Sequence, residues 1–333
     1  MTQLHYQNIE KFSRQIMLPT IGNQGQEKLS KSHIVVVGCG GLGCPTLLYL
    51  AASGIGKITL IDNDTISTSN LHRQILFSAH DVGYYKAEIA AQKLAILHPD
   101  TTITPIIKRL DTQLAKQYCR DADLVIDGTD SFLSKYILGD ITHKLLVASV
   151  VGMRGYIAGF TNKMPYRGFF PNVPDNAPNC SQTGVLGSVA GMIGCLVATE
   201  AIKIIINHHY TSINKVINID LERLYFNVIK LPTHMQTSFN PLPCLEFITF
   251  DKLTSEIIID IREPKELTGN PLIEGAQSMP LSRLNIDNLL SIPNFILKCH
   301  TGRRAEQLAL KLALSDISLL KTNSLRKIKI LAT

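Results

Sequence analysis

The stretch that most constrains this chain is Val35-Val36-Val37-Gly38-Cys39-Gly40-Gly41-Leu42-Gly43, followed by the apolar run "CPTLLYLAASG". Consecutive β-branched residues favour a buried strand, and the run after the glycines suits a helix. A strand that turns on glycines into a helix brings backbone N–H groups and a helix N-terminus to one point, where they can hold phosphate. Gly38, Gly40, Gly41 and Gly43 therefore form a candidate phosphate cradle. That motif requires a βαβ unit around it.

The rest of the N-terminal half supplies such units. Residues 34–37, 58–61, 103–107, 124–126 and 145–148 are short apolar runs, and helical patterns such as 83–97 lie between several of them. This alternation predicts an α/β fold, a Rossmann-like, doubly wound, mostly parallel sheet with helices on both faces. A chain of 333 residues is long for one domain and suits a large unit plus a small one. Prolines at 232, 241 and 243 mark the boundary. We read 1–238 as the first domain, 239–245 as a linker and 246–333 as a second, smaller α/β domain.

Composition narrows the classes. Charged residues make up 18% and the net charge is +6, without a Lys/Arg block, which argues against nucleic-acid binding. The apolar run "VLGSVAGMIGCLVATEAIKIII" is interrupted by Glu200 and Lys203, so it reads as a buried helix and not as a membrane span. Seven cysteines without tight spacing point to a reducing, cytoplasmic compartment. Cys39, Cys44 and Cys195 lie among apolar or glycine neighbours and read as core.

The glycines do not distinguish NAD from ATP. Asp62 ends the next strand about 20 residues on, where an acidic side chain reaches ribose hydroxyls in either case. Downstream, "DNDTISTSNLHRQ" adds Asn70, Arg73 and Gln74; Lys86 leads a helix in "GYYKAEIA"; Asp130 follows a buried strand in "DGTDSF". Two cations and a carboxylate beside one phosphate site suit ATP with Mg²⁺, the cations neutralising phosphate oxygens and Asp130 serving as the metal carboxylate. An NAD-dependent oxidoreductase leaves these groups without a role, and a non-catalytic scaffold that binds nucleotide or carrier has no need of Asp130.

"SRQIML", "GCGGLGCP", "DNDTISTSNLHRQ", "GYYKAEIA", "DGTDSF" and "NCSQTGVLG" occur in an order and spacing that resembles the ThiF/MoeB/HesA family, relatives of the ubiquitin-activating enzymes. The resemblance implies adenylation of the C-terminal glycine of a small ubiquitin-like sulfur-carrier protein ending in Gly-Gly. It implies that Gly41 approaches the phosphates, that Asp62 binds ribose, that Ser69, Asn70 and Arg73 line the triphosphate, and that Leu71, His72 and Ser131 belong to the nucleotide-binding set. Lys86 would contact the triphosphate, Asp130 would hold Mg²⁺, and Arg14 would reach the nucleotide from the other subunit of a homodimer. Ser131 stands where the family often has Asn. Cys180 resembles a reactive family cysteine that links to the carrier or takes part in sulfur transfer. Many relatives hold zinc through two C-x-x-C pairs; here Pro165 and Gly168 stand at the first pair and only Cys244 remains near the second. Tetrahedral zinc needs four good donors, so no structural zinc is expected.

In the second domain, "KCHTGRRAEQ" follows a strand and leads into a helix. A loop of this kind directs N–H groups at Cys299, with Arg303, Arg304 and the helix dipole favouring an anion. Four residues separate Cys299 from Arg304, a loop that looks too small for phosphate-ester hydrolysis and suits persulfide transfer. With "IIIDIREPKE" and "LIEGAQSMPL", the segment resembles rhodanese domains. That resemblance implies a Cys299 persulfide, charged by a sulfur donor such as a cysteine desulfurase or thiosulfate, and sulfurtransferase activity giving a thiocarboxylate. "TNSLRKIKILAT" reads as a divergent or truncated finish.

Overall fold

The computed structural model describes residues 3–173, 184–232, 242–253, 256–292, 294–314 and 327–331. The chain divides into two compact units, the first comprising residues 1–110, 115–169 and 176–235, the second 111–114, 170–175 and 236–333.

In the first unit, α1 (Gln3–Ile16) and α2 (Gly22–Lys31) precede β1 (His33–Val37), α3 (Gly43–Ala52) and β2 (Lys57–Ile61). Then come α4 (Lys86–Leu97), β3 (Thr102–Ile106), α5 (Thr112–Tyr118), which straddles the division, β4 (Leu124–Asp127) and α6 (Phe132–Ile141). The unit ends with β5 (Lys144–Val151), β6 (Arg154–Thr161), α7 (Tyr166–Phe169), α8 (Gly187–Ile205), β7 (Lys215–Asp220) and β8 (Tyr225–Lys230). The eight strands form one sheet in the order β3-β2-β1-β4-β5-β6-β7-β8. The strands from β3 to β5 in that order are parallel, and β5 through β8 pair antiparallel.

Strand order reverses between β1 and β4, because β2 and β3 lie to one side and β4 and β5 to the other. In such sheets the crevice beyond the carboxyl ends of the strands, at this switch point, takes ligands. Register aligns those ends: Val37 lies opposite both Ile61 and Asp127.

The apolar α8 is a core helix. Val189, Ile193, Val197, Ala201 and Ile204 are buried, packed in one cluster with Leu47 and Leu50 of α3 and Val36 of β1. Its length and apolar composition would also suit a membrane span. Its two charges are accommodated locally: Glu200 pairs with Lys203 at 2.5 Å and accepts the Ser212 N–H at 2.6 Å.

The region around Pro165 and Gly168 is held by packing. Tyr166 meets Tyr136 and Phe160 edge-on, at ring separations of 5.1 and 5.3 Å, and Arg167 binds Asp140 with two bonds of 2.8 and 2.7 Å. Gly139 is required beneath it, because a Cβ there would lie 2.6 Å from Tyr166 Cβ.

The second unit contains β9 (Cys244–Ile248), β10 (Ile257–Asp260), β11 (Gln277–Ser278), α9 (Ile286–Leu290), β12 (Phe295–Lys298), α10 (Arg303–Leu314) and β13 (Lys327–Leu331). Its sheet runs β11-β10-β12-β13-β9 and is wholly parallel. One sequence expectation needs correction: Cys244 and Leu245 belong to β9 and not to a linker. β13 lies between β12 and β9, with Ile328, Ile330 and Leu331 buried. Its alternation with lysine hides it in the sequence, since Lys-Ile-Lys-Ile-Leu reads as a polar, exposed strand.

Candidate nucleotide site

The glycine turn follows β1 and is tied to both neighbouring strands. Gly38 adopts φ +94, a conformation that favours glycine, and its N–H donates to Ile61 O at 2.9 Å. Gly43 opens α3 so close to this turn that a Cβ would lie 2.0 Å from Gly38 O. Around Gly40 there is room: a Cβ would meet only Gln74 Nε2, at 3.9 Å. Gly41 lies against Arg73, whose Cγ is 3.3 Å from the Cβ position.

Beyond β2, the half-buried Asp62 braces the same turn. One carboxylate oxygen accepts the Cys39 N–H at 2.6 Å and the other the Asp64 N–H at 2.8 Å. Burial raises its pKa, against the opposing pull of Lys86. Lys86, at the start of α4, is buried and lies 2.8 Å from Asp64 Oδ2. Burial pushes its pKa down, but Asp62 and Asp64 push it up and prevail. The ammonium therefore stays charged.

Between β2 and α4, Thr68–Asn70 form a short 3-10 turn. Asn70 O accepts the N–H groups of Arg73 and Gln74, which fixes the backbone of both. Arg73 donates from Nη1 to Ser69 O at 2.9 Å and lies 2.8 Å from His72 Nε2. Ser69 and His72 are exposed, Asn70 and Leu71 half-buried. Gln74 is 3% exposed, and its Oε1 has no hydrogen-bond partner among the described residues.

Beyond β4, Asp127 Oδ1 accepts both the N–H and the hydroxyl of Thr129, at 2.8 and 2.7 Å. Gly128 donates its N–H to Val37 O at 3.0 Å, which joins this loop to the glycine turn. Asp130 follows, exposed on the loop. Ser131 caps α6 by accepting the Ser134 N–H at 3.3 Å. Its hydroxyl thus has a structural use at the position where the family often has Asn.

Loops at the ends of β1, β2 and β4 therefore bring Gly41 to Arg73, Lys86 to Asp62, and the Asp130 loop to Gly38. Asp64, Asp127 and Lys135 are participants that sequence reasoning missed. Their charges meet partners across 22 or 8 residues of chain, and no short motif records such pairings. Arg14 is exposed near the end of α1, its Nη1 4.0 Å from Met17 Sδ. Cys180 lies outside the described residues.

In the second unit, Cys299 directly follows β12 and is fully buried. Arg304 binds Glu266 through two bonds of 2.7 and 2.5 Å. Arg304 holds the Glu266 carboxyl down at about 2. Beside it, Asp260 and Arg262 form a pair with no solvent exposure, with Lys298 3.2 Å from the same carboxylate.

Residues 12–241 match the ThiF family. Among curated relatives, a probable molybdopterin-synthase adenylyltransferase of Porphyra purpurea is 43% identical over 207 residues, 60% of this chain and 54% of that protein. A SAMP-activating enzyme E1 of Haloferax volcanii is 36% identical over 206 residues, 60% of this chain and 76% of its own length. The adenylyltransferase and sulfurtransferase MOCS3 of Aedes aegypti is 37% identical over 237 residues, 69% of this chain and 54% of its own length. The chain thus spans about half the length of several relatives it matches. The crystal structure of E. coli MccB with MccA-N7isoASN shares the fold, with TM-score 0.59 and 24% identity over 66% of this chain and 72% of that one. On these matches, together with the glycine turn and its charged surroundings, the chain belongs to the ThiF family.

Proposed function

We propose that the protein is an ATP-dependent adenylyltransferase that activates the C-terminal glycine carboxylate of a small ubiquitin-like sulfur-carrier protein. The observation that carries this reading is the meeting of a glycine turn with Arg73, Lys86 and the Asp130 loop at the switch point of the sheet. Relatives named for sulfur-carrier and SAMP activation support the substrate class.

The site fits a nucleoside triphosphate. The turn is open at Gly40, the N-terminus of α3 favours anions, and Asp62 is fixed by two backbone donors in a position to receive ribose hydroxyls. In the reaction, a carrier carboxylate oxygen attacks the α-phosphorus, the bond to the bridging oxygen breaks, and pyrophosphate leaves with the electron pair. Arg73 and Lys86 lower the repulsion between two anions and stabilise the leaving group. The nucleophile is already ionised, so no general base is needed. Asp130 would hold a Mg²⁺ ion, whose charge would add to the neutralisation of phosphate oxygens. Arg14 completes the site from a second subunit.

The reading extends to sulfur transfer: a persulfide on Cys299 attacks the acyl carbon, AMP leaves, and a second thiol such as Cys180 releases the thiocarboxylate by reducing the S–S bond. Thermal unfolding with ATP and Mg²⁺, compared with NADH, separates the nucleotide classes. A rise in midpoint with ATP alone supports adenylation, and a rise with NADH alone overturns it.

A further inference from the structure

We propose that Lys135 is a positioning residue for this reaction: by holding the peptide that joins Thr129 to Asp130, it sets the direction from which Asp130 meets the nucleotide-bound cation. The proposal rests on the adenylation reading above and adds to it a residue outside the motif set.

Lys135 occupies an unfavourable place for a cation. It is 3% exposed, and an ammonium loses hydration on burial. It also lies in the first turn of α6, where the helix dipole opposes positive charge. A methionine would fill a similar volume without either penalty, so packing alone does not account for the charge.

Its contacts do. Nζ donates to the Thr129 carbonyl at 2.8 Å and lies 3.4 Å from Asp127 Oδ2. Asp127, with no exposure, binds the Thr129 N–H and hydroxyl through its other oxygen. Both ends of Thr129 are therefore fixed. The Thr129 carbonyl and the Asp130 N–H belong to one planar peptide and point in opposite directions, so holding the first orients the second and the origin of the Asp130 side chain. The Thr129 methyl lies 3.0 Å from the Cβ position of Gly38, which sets this peptide directly against the phosphate turn. Groups that orient a ligating carboxylate commonly matter to metal affinity by roughly 10–100-fold.

The test measures metal binding, not turnover. Mn²⁺ replaces Mg²⁺, a non-hydrolysable ATP analogue occupies the site, and free Mn²⁺ is read by electron paramagnetic resonance with the 333-residue chain. We expect Lys135→Met to weaken analogue-dependent Mn²⁺ binding by roughly 10–100-fold, Lys135→Arg to restore it, and metal-free affinity for the analogue to change little. Lys135→Gln, which keeps a donor for the Thr129 carbonyl, serves if the Met variant does not fold, with a smaller loss expected. A folded Met or Gln variant that binds Mn²⁺ like the wild type overturns the proposal, as does an Arg variant no better than Met. Wild-type protein that binds no Mn²⁺ with the analogue overturns the adenylation reading itself, and the proposal with it.

Discussion

Lys86 illustrates what single residues contribute to the site. Buried beside Asp62 and Asp64, it pairs with the Asp64 carboxylate in the resting protein and is held charged by both. Lys86→Met leaves those carboxylates facing the incoming phosphates, and Arg73→Ala removes a guanidinium whose aliphatic stem lies on Gly41. Each is expected to lower kcat for carrier-dependent pyrophosphate exchange by roughly 10²–10³-fold, with the fold retained by circular dichroism. Glu266 gives a pH signature in the second unit. Its folded pKa of about 2, set by Arg304, lies below its ordinary value of 4.5. A depressed carboxyl contributes stability that is present above the unfolded pKa and lost as pH falls through the folded one. The unit should therefore lose stability between these two values, and Glu266→Gln should flatten that dependence in urea unfolding series. At this scale the glycines, Asp62, Arg73 and Lys86 are legible in the sequence, because their spacing follows from strand and turn lengths. Asp64, Asp127 and Lys135 are not, because each is defined by a partner brought near only by the folded loops.

Among the elements, the parallel strands β1, β2 and β4 read directly from their apolar, mostly β-branched runs, since burial on both faces demands them. β13 is the opposite case. Alternating lysines disguise a strand that lies inside the second sheet, and only its pairing with β12 and β9 reveals it. Ile330→Ala should cost about 2–5 kcal/mol of stability in that unit, measured by denaturant unfolding; a surface strand would lose far less. α7 makes the corresponding point in the first unit. Around Pro165 and Gly168, Tyr166 packs edge-on with Tyr136 and Phe160 and Arg167 holds Asp140. Tyr166→Ala should destabilise the unit by about 3–5 kcal/mol, the range for large aromatic truncations, and limited proteolysis after the substitution should cut near residue 170. Unchanged stability would mean that something else secures this segment.

The whole molecule joins a ThiF-family unit to a parallel α/β unit that carries Cys299 and Arg304. In the proposed reaction, linking them in one chain raises the effective concentration of persulfide near the acyl-adenylate. The first strand of the second unit was not legible in the sequence, because Cys244 and Leu245 follow Pro243 too closely to stand apart as a run of their own. In the proposed reaction a carrier carboxylate attacks the nucleotide's α-phosphorus with the help of Asp130, and this attack sets the decisive experiment. The attack is tested most directly by exchange of labelled pyrophosphate into ATP, with a carrier ending in Gly-Gly, in the wild type and in Asp130→Ala. Carrier-dependent exchange is expected in the wild type, and its loss by at least about a hundredfold in the variant. Exchange that proceeds equally well in Asp130→Ala, or that never appears with any Gly-Gly carrier, would contradict the proposed reaction.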